Sequence, residues 1–310
     1  MQGKGKEKWA FIVNPTAGNQ FAGTMVPKIR EEIEKHGLEG EIMFTRCKGH
    51  ATELAREALE RGFRNIVAVG GDGTLNEVAT ALVHNNEAVL GIIPAGTGND
   101  FIQILGFPNR FSEEHWEILF RKRTTQMDVG TCNGVFFFNG MGLGFDAEVA
   151  SKNYKEEGTI KKGGKDKYLW HILTTLLFYR EQNMKVLANS HSHETKCFIN
   201  TVSIGRRFAG GFFLTPQALA NDGELDVCSI KRLSLYHRFR ILLKVPEGKH
   251  VGDKRIHYYR TREIELEFPR KVPFHVDGEL FFSEKFQIRI LPSAIKTIYN
   301  PGGSHFFIEN

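Results

Sequence analysis

The stretch Asn65–Glu77 reads NIVAVGGDGTLNE and decides the fold of the first part of this 310-residue chain. It begins with a short, mainly apolar run that is typical of a buried strand. Glycines end that run, and a helical pattern follows, with apolar residues at Leu75, Val78, Ala79 and Leu82. A strand, a glycine-rich turn and a helix in this order predict one half of a βαβ unit, and hence a parallel sheet covered by helices.

The same alternation extends over the first third of the chain. Short apolar runs predict strands at Trp9–Val13, Glu41–Thr45, Asn65–Val69 and Val89–Pro94. Helix-period segments lie between them, with apolar faces at Val26, Ile29 and Ile33 in the first and at Leu54, Ala55, Ala58 and Leu59 in the second. Ligands of such sheets bind at the carboxyl ends of the strands, so we expect the functional site in the turns that follow them.

The remainder of the chain is rich in strand patterns. The predicted strands are Asn133–Gly140, Lys196–Ile204, Glu224–Ile230, Tyr258–Phe268, Val272–Val276 and Lys285–Leu291. Ile264, Leu266 and Phe268 alternate with glutamates at the period of two that half-buried strands need. We therefore expect an α/β domain over residues 1–128 and a mostly antiparallel β-sandwich domain over residues 129–291. Whether residues 292–310 pack back onto the first domain is left open.

Three glycine-rich turns follow strands of the first domain. They are Asn14–Gly18, Gly70–Glu77 and Pro94–Asp100. Glycine lets the backbone approach phosphate oxygens closely, and the first turn of a following helix directs unpaired N–H groups and a positive dipole end at the anion. Thr74 and Thr97 add hydroxyl donors. Three such turns at one sheet edge favour a nucleotide site over purely structural turns.

The two aspartates in these turns predict a metal ion. A carboxylate repels phosphate directly, but Asp72 and Asp100 can bind it through a bridging Mg²⁺, which prefers carboxylate, water and phosphate oxygens. Other phosphate motifs are excluded. There is no GxxxxGK[ST] sequence, and the run Gly140–Phe145 has phenylalanine where a dinucleotide fingerprint needs its third glycine.

The runs GGDGTLNE and PAGTGND resemble the signature of the diacylglycerol kinase catalytic domain, whose superfamily also contains sphingoid-base and ceramide kinases and is more distantly similar to NAD kinases. Further landmarks of that family occur in the expected order, at Asn14–Gly18, Gly49–Ala51, Gly142–Ala147, Asn221–Val227 and Val276–Glu279. The resemblance therefore covers most of the chain. It implies a nucleotide domain, a β-rich domain and an active site in the cleft between them.

The resemblance also implies roles for individual residues. The residues that would hold ATP are Asn14, Pro15, Thr16, Ala17, Gly18, Thr45, Gly70, Gly71, Asp72, Gly73, Thr74, Leu75, Asn76 and Thr97. Asp72 and Asp100 would organise the catalytic magnesium, and Glu279 would be the general base. A second, structural magnesium site would be formed by Asp222 and Glu224, with the backbone near Leu219. Pattern alone favours a different interpretation of Glu279, as the exposed neighbour of a hairpin turn at Asp277-Gly278, and only the resemblance favours the general base.

Composition limits the cellular setting. The four cysteines are widely spaced without a CxxC pair, which favours a reducing compartment. The net charge is +5, which suits phosphate-bearing partners. No helix-turn-helix, zinc-finger or RNP1 pattern supports nucleic-acid binding. We expect a cytoplasmic protein that meets lipid peripherally at an anionic inner membrane face, with a homodimer possible by analogy.

One helical segment of the second domain has two interpretations. Leu169, Ile172, Leu173, Leu176 and Leu177 form an apolar stripe after the basic run Lys161, Lys162, Lys165 and Lys167. This pattern is typical of a helix at a membrane surface and also of a core helix that follows a solvated loop. The polar residues His171, Thr174 and Thr175 favour the core helix.

The leading prediction is an ATP- and Mg²⁺-dependent kinase that phosphorylates a lipid hydroxyl, with diacylglycerol as the first substrate to test. Another lipid, such as a sphingoid base, ceramide or phosphatidylglycerol, is an alternative acceptor. An NAD kinase-like enzyme shares the GGDG core, and a sensor with an inactive kinase fold is the non-enzymatic alternative. The residues NE after GGDGTL and the late VDGE favour the lipid kinase, and retention of Asp72, Asp100 and Glu279 argues against the sensor.

Overall fold

The computed structural model describes residues 7–152, 165–188, 191–209 and 211–309. The chain forms two compact units. Unit 1 contains Met1–Val129, Leu219–Asp222 and Pro292–Asn310, and unit 2 contains Gly130–Ala218 and Gly223–Leu291. The expected pair of an α/β domain and a mostly antiparallel β domain is confirmed.

Unit 1 is built on a parallel sheet. Its strands are β1 (Lys8–Val13), β2 (Glu39–Phe44), β3 (Asn65–Gly70) and β4 (Val89–Pro94), in the order β2–β1–β3–β4. The helices are α1 (Phe21–Thr24), α2 (Val26–Lys35), α3 (His50–Glu60), α4 (Asp72–Leu82) and α5 (Glu113–Arg121). The end of the last strand of the chain adds a further parallel partner to β4, through Thr297 opposite Leu90.

Burial explains why these elements could be read from the sequence. Every residue of β3 and β4 is buried, so both strands are nearly continuous apolar runs, as parallel strands covered on two faces must be. The predicted apolar face of α4 is buried against the sheet of unit 1. It consists of Leu75, Val78, Ala79 and Leu82. The edge strand β2 alternates less clearly because most of its residues are partly exposed.

Unit 2 is mainly antiparallel. Its strands are β6 (Val135–Phe137), β7 (Gly140–Gly144), β8 (Gln182–Ala188), β9 (His191–Ser203), β10 (Leu225–Lys231), β11 (Ile256–Thr261) and β12 (Glu263–Val276). β5 (Thr124–Cys132) runs from unit 1 into unit 2, and β13 (Glu279–Ile298) runs from unit 2 into unit 1. The strand order is β11–β10–β9–β7–β12–β13, and β8 pairs with β9 and β12.

In the described part of unit 2, three α-helices accompany this sheet. They are α6 (Phe145–Lys152), α7 (Lys165–Phe178) and α8 (Leu235–Leu242). The core beneath them includes Phe145, Phe198, Leu233 and Ile241. No helix in the described ranges combines the length and apolar character needed to cross a bilayer.

The structure divides two of the predicted strands. Residues 133–140 contain β6 and the start of β7, because the backbone N–H groups of Phe138, Asn139 and Gly140 turn away from the ladder to the carboxylate of Asp277. Residues 258–268 contain parts of β11 and β12, which are separated at Arg262. The sequence analysis also predicted no strand at β5 or β8 and no helix at α5, α6 or α8.

The apolar stripe of α7 is also divided. Ile172 and Leu176 are buried in the core of unit 2, whereas Leu173 and Leu177 are exposed. Thr175, expected on the polar back, is buried, where its hydroxyl accepts a hydrogen bond from Lys152 Nζ at 2.8 Å. The side chains of Leu169 and of the predicted basic run lie outside the described residues. One side of α7 is thus a core face, and the other is apolar yet exposed.

Candidate active site

The carboxyl ends of the unit 1 strands are level with one another. Val13 of β1 lies opposite Phe44 of β2 and Val69 of β3, and Gly70 of β3 lies opposite Pro94 of β4. All these pairs are parallel, so the residues that follow them leave the sheet at the same edge. The structure therefore brings the three predicted glycine-rich turns side by side.

Asn14 organises the first turn and joins it to the second. Its Oδ1 accepts hydrogen bonds from the backbone N–H and the hydroxyl of Thr16, at 3.2 and 2.9 Å. Its Nδ2 donates to Thr74 Oγ1 at 3.1 Å. These side-chain bonds occupy both ends of the amide, so Asn14 acts mainly by fixing the shape of the two turns.

Glycine is required where the turns touch. Gly18 has a φ of +59°, and a Cβ there would overlap the carbonyl oxygen of Ala95. A Cβ on Gly71 would lie 3.0 Å from the Cα of Gly96. The first and second turns thus both pack against the third through backbone that carries no side chain, and this close approach is available only to glycine.

Asp72 is the first residue of α4 and holds the third turn. Its Oδ2 accepts the backbone N–H of Asp100 at 3.1 Å, and its Oδ1 accepts that of Phe101 at 3.2 Å. Burial raises the pKa of Asp72 above its ordinary value, although the backbone hydrogen bonds oppose that rise. The carboxylate is therefore desolvated and oriented, a state that favours neutralisation by a cation.

The remaining predicted nucleotide-binding residues differ in accessibility. Thr16, Gly73 and Thr97 are exposed. The half-buried ones are Asn14, Pro15, Ala17, Gly18, Thr45, Gly71 and Asn76. Gly70, Thr74 and Leu75 are buried, so Leu75 can offer a ligand only its backbone. Thr45 follows β2, where its N–H donates to the carbonyl oxygen of Val13 at 2.9 Å.

These residues fit a nucleotide phosphate and a magnesium ion. Nothing lies within 4 Å of a Cβ built on Gly73, so the backbone at the start of α4 is open on that side, and the exposed hydroxyl of Thr97 is a potential donor. The Asp72 carboxylate has more lone pairs than its backbone hydrogen bonds use. Asp100 is half-buried at the start of the short helix Phe101–Gln103. Two carboxylates completed by water and phosphate oxygens match the preference of Mg²⁺.

Glu77 is a site-forming residue whose role the sequence did not reveal. Its Oε1 accepts the backbone N–H of Gly49 at 2.9 Å, and its Oε2 accepts that of Ala51 at 3.1 Å. The carboxylate thereby caps the amino end of α3, where unpaired N–H groups and the helix dipole favour a negative charge. This contact gives a physical reason for the Gly49–Ala51 and Gly70–Glu77 landmarks to occur together.

In unit 2, Asp277 and Glu279 lie in the hairpin between β12 and β13. Asp277 and Gly278 both have positive φ, 45° and 86°. The carboxylate of Asp277 accepts three backbone N–H groups, from Phe138 at 2.7 Å, Asn139 at 3.1 Å and Gly140 at 2.9 Å. Glu279 is exposed and opens β13 opposite Val276. The hairpin alternative and the base alternative are therefore compatible, since Asp277 builds the turn and Glu279 projects from it.

The Gly142–Ala147 landmark also has a structural explanation in unit 2. His275 Nε2 lies 3.1 Å from Asp146 Oδ2, and both side chains are largely shielded from solvent. A Cβ on Gly142 would overlap these two groups, and Gly144 has a φ of +98°. The glycines thus leave room for an Asp146–His275 pair, which the sequence analysis did not predict.

The residues predicted for the second metal site fall in both units. Leu219 and Asp222 belong to unit 1, and Glu224 belongs to unit 2. The neighbouring Asn221 holds the C-terminal segment, since its Oδ1 accepts the Ile308 N–H at 2.7 Å and its Nδ2 donates to the Ile308 carbonyl at 3.1 Å. The second metal site stays a prediction.

A different cluster has metal-like geometry. Within the described residues, three potential ligand atoms converge only at Glu32 of α2, His36 just after that helix and Glu117 of α5. Lysines already neutralise these carboxylates: Lys28 Nζ lies 2.9 Å from Glu32, and Lys35 Nζ lies 2.7 Å from Glu117. An ion-pair network of this kind joins the two helices and leaves little reason for a metal.

Comparison with known proteins assigns both units. Residues 8–132 match the sequence model described as the diacylglycerol kinase catalytic domain. Residues 139–299, more than half of the chain, match the one described as the YegS C-terminal NAD kinase beta sandwich-like domain.

Similar proteins are found in several bacteria. The chain is 28% identical to the diacylglycerol kinase of Bacillus subtilis (strain 168) over 271 residues, which cover 87% of this chain and 88% of that protein. It is 25% identical to a provisionally named YegS-like lipid kinase of Shewanella frigidimarina (strain NCIMB 400) over 280 residues, 88% of this chain and 89% of that one. A crystal structure of a protein from Bacillus anthracis str. Sterne, provisionally named a diacylglycerol kinase, has a TM-score of 0.79 at 26% identity and covers 96% of this chain and 98% of its own.

Proposed function

We propose that this chain, which belongs to the family of bacterial lipid kinases with a diacylglycerol kinase catalytic domain and a YegS-type β-sandwich domain, transfers the γ-phosphate of ATP to a lipid hydroxyl with the help of Mg²⁺. Family membership makes the chain a lipid kinase and therefore a phosphotransferase. The donor, the metal and the acceptor are the content of the proposal. Diacylglycerol, which would give phosphatidic acid, is the leading acceptor.

The observation that carries the proposal is the alignment of three glycine-rich turns at one edge of the unit 1 sheet, with Asp72 bonded to the turn that contains Asp100. Phosphoryl transfer needs little covalent help from a protein. It needs alignment of the phosphate and positive charge on the transferring oxygens. The turn backbone and the start of α4 supply the alignment, and a magnesium ion held by Asp72 and Asp100 supplies the charge when bound.

The acceptor hydroxyl also needs a base. An alcohol is a poor nucleophile at neutral pH, and a carboxylate within hydrogen-bond reach can take its proton as the new bond forms. Glu279 is the candidate, since it is an exposed carboxylate on a hairpin whose turn is held by Asp277. The released proton would therefore reside on Glu279.

The names of the relatives support a glycerolipid as the acceptor. The relatives that match most of this chain are named diacylglycerol kinase or lipid kinase. Other lipids remain alternatives, and NAD is the soluble alternative that the shared GGDG core suggests. The Asp146–His275 pair and Glu279 both lie in unit 2, the unit in which we place recognition of the acceptor.

The test is Mg²⁺-dependent ATP turnover in mixed micelles. Diacylglycerol, a sphingoid base, ceramide and phosphatidylglycerol are offered separately, and NAD is offered as a soluble acceptor. We expect phosphorylation of diacylglycerol that is lost on chelation of the metal and in Asp72→Asn and Glu279→Gln. Phosphorylation of NAD alone would overturn the lipid proposal, and full diacylglycerol phosphorylation by Glu279→Gln would overturn the assignment of Glu279.

A further inference from the structure

The exposed side of α7 is a continuous apolar stripe. Trp170, Leu173 and Leu177 recur at helical spacing, and Phe178 follows them; Trp170 is 65% exposed and Phe178 is 78% exposed. The opposite side of the same helix, with Ile172 and Leu176, is buried in the core of unit 2. A helix that is apolar on both sides needs cover on both sides, and the described part of the chain covers only one.

α8 continues this apolar surface. Leu235, Tyr236, Phe239 and Leu243 share its outward side, and Leu243 is 80% exposed. Its inward side, with Arg238 and Ile241, is buried. The outward side of α8 therefore exposes aromatic and leucine side chains, where an ordinary surface helix would carry charged residues.

Arg238 joins the two helices into one surface. Its guanidinium donates to the carbonyl oxygens of Leu176 at 2.6 Å and Tyr179 at 3.0 Å, at the end of α7, and pairs with Glu181 at 2.7 Å. Ile172 and Leu176 of α7 and Ile241 of α8 belong to the same buried cluster. The outward sides of both helices thus adjoin. We call them the α7–α8 surface, which consists of Trp170, Leu173, Leu177, Phe178, Leu235, Tyr236, Phe239 and Leu243.

The charge around this surface is positive. The segment Lys231–Lys244 contains five Lys and Arg residues and no Asp or Glu. Two of its cations are used internally, since Arg238 pairs with Glu181 and Lys244 lies 3.9 Å from Asp253. Lys231, Arg232 and Arg240 are exposed, and none of the three forms an ion pair with a described residue. They border the α7–α8 surface as uncompensated positive charges.

We propose that the α7–α8 surface docks on the anionic leaflet of a lipid bilayer. Leucine and aromatic side chains on a helix that lies in the membrane plane enter the boundary between headgroups and acyl chains, and tryptophan and tyrosine favour that boundary. Bordering cations are attracted to the negative surface of an anionic leaflet. This inference extends the proposed function, because a lipid kinase without a spanning helix in its described part must meet its acceptor at such a surface.

A second copy of the chain is a poorer occupant of the same surface. In a two-fold dimer each patch meets its own copy, so Lys231, Arg232 and Arg240 would approach cations of the partner without an acidic residue in the segment to pair with them. Like charges brought together at an interface oppose association. A membrane with acidic headgroups provides the missing negative charge.

The test is binding of the full-length protein to vesicles of phosphatidylcholine with and without phosphatidylglycerol. We expect binding that requires phosphatidylglycerol and weakens with salt. The double variant Phe178→Ser/Leu243→Ser should reduce the partition constant about ten-fold (~1.4 kcal/mol) or more. Ile308→Ser is the matched control, because Ile308 is an exposed apolar residue of unit 1.

Arg232→Gln/Arg240→Gln should weaken binding several-fold at low salt, unlike the control pair Arg30→Gln/Arg56→Gln.

Tryptophan fluorescence gives an independent measurement. Of the three tryptophans, Trp9 and Trp116 are buried and Trp170 is exposed. Binding to vesicles that contain brominated lipid should therefore quench and blue-shift the emission of Trp170, and Trp170→Phe should abolish that change.

The outcomes separate this inference from the proposed function. Kinase assays on a short-chain diacylglycerol dispersed as monomers should give wild-type rates for Phe178→Ser/Leu243→Ser. Loss of vesicle binding in that variant supports docking even if the protein phosphorylates no lipid at all. Unchanged vesicle binding, or a wild-type protein that ignores anionic vesicles, would overturn the inference. So would a wild-type dimer that the double variant dissociates without any change in vesicle binding.

Discussion

The Oδ2 atom of Asp72 accepts the backbone N–H of Asp100 at 3.1 Å, so the aspartate of the second glycine-rich turn positions the aspartate of the third. The two carboxylates proposed to organise magnesium are thus coupled through the backbone. Asp72 holds the third turn through hydrogen bonds and also places a carboxylate where it is shielded from water. The first role favours the folded state, whereas ionisation of a shielded carboxylate opposes it.

Asp72→Asn should separate them. We expect phosphoryl transfer to fall by about 10²-fold or more, the usual cost of removing a key electrostatic group. Burial raises the pKa of Asp72 above its ordinary value of 3.8, so ionisation of this side chain opposes folding. The protonated Asp72 side chain therefore contributes stability below pH 3.8, and this contribution is lost as the pH rises through the raised pKa. The unfolding free energy of wild type relative to Asp72→Asn should therefore decline as the pH rises from that point.

Asp253→Asn is the matched control, with the opposite sign. Desolvation alone would raise the pKa of Asp253, but hydrogen bonds from Arg255 and nearby positive charge lower it overall. Its ionised form stabilises the fold above its ordinary pKa and loses that effect as the pH falls. Urea unfolding at several pH values measures both trends. Parallel pH dependences for the two variants would contradict the account of Asp72.

Glu77 provides a prediction about stability. Its carboxylate accepts the N–H groups of Gly49 and Ala51 at the start of α3. Glu77→Ala should lower the free energy of unfolding by about 1–3 kcal/mol, since two donors lose a charged acceptor. Glu77→Gln should cost less, because one oxygen acceptor remains. Glu60→Ala, at an exposed position near the other end of α3, should stay within about 0.5 kcal/mol of wild type. Equal losses in Glu77→Ala and Glu60→Ala would exclude a capping role.

The sequence was most informative where local pattern and burial coincide. β3 and β4 are buried along their whole length, so their apolar runs predicted their bounds to within one residue. β8 was missed, since its apolar run, residues 186–188, is too short to indicate a strand and the rest of Gln182–Ala188 is mainly polar. Residues 133–140 were taken as one strand because the carboxylate that interrupts it, Asp277, is more than 130 residues away in the chain.

The same limit applies to the candidate site. Glycine-rich turns after strands are local patterns, so the three turns could be predicted to meet at one sheet edge. The contact of Asp72 with Asp100 and the cap that Glu77 forms on Gly49 join residues 28 positions apart, and only the register of the sheet brings them together. The Asp146–His275 pair spans 129 positions and leaves no local signal other than the glycines that make room for it.

Gly73 and Gly96 form a matched pair that separates stability from function. A Cβ on Gly96 would lie 2.6 Å from Asn99 Oδ1 and would overlap Gly71, whereas a Cβ on Gly73 meets nothing within 4 Å. Gly96→Ala should therefore destabilise the protein by about 1–3 kcal/mol. Gly73→Ala should be neutral or stabilise it by up to about 0.5 kcal/mol, because alanine favours the helix.

Gly73→Ala should impair activity although it does not destabilise the protein. If phosphate approaches the open backbone at the start of α4, a new methyl group there obstructs it, and the KM for ATP should rise about ten-fold. Thermal unfolding and steady-state kinetics on the same preparation give both quantities. A Gly73→Ala enzyme with an unchanged KM for ATP would place the nucleotide elsewhere.

Asp277 and Glu279 should give contrasting variants. Glu279 is exposed, so Glu279→Gln should change stability by less than about 0.5 kcal/mol while kcat falls by about 10²–10⁴-fold, as expected for loss of a general base. Asp277 accepts the N–H groups of Phe138, Asn139 and Gly140, so Asp277→Ala should cost about 2–4 kcal/mol by leaving these donors unsatisfied. The KM for ATP should be unchanged in Glu279→Gln, because the proton transfer assigned to it belongs to the acceptor. A glutamine variant with full kcat would return Glu279 to the role of an exposed hairpin neighbour, and Asp277→Ala with wild-type stability would remove the reason for the bend between β6 and β7.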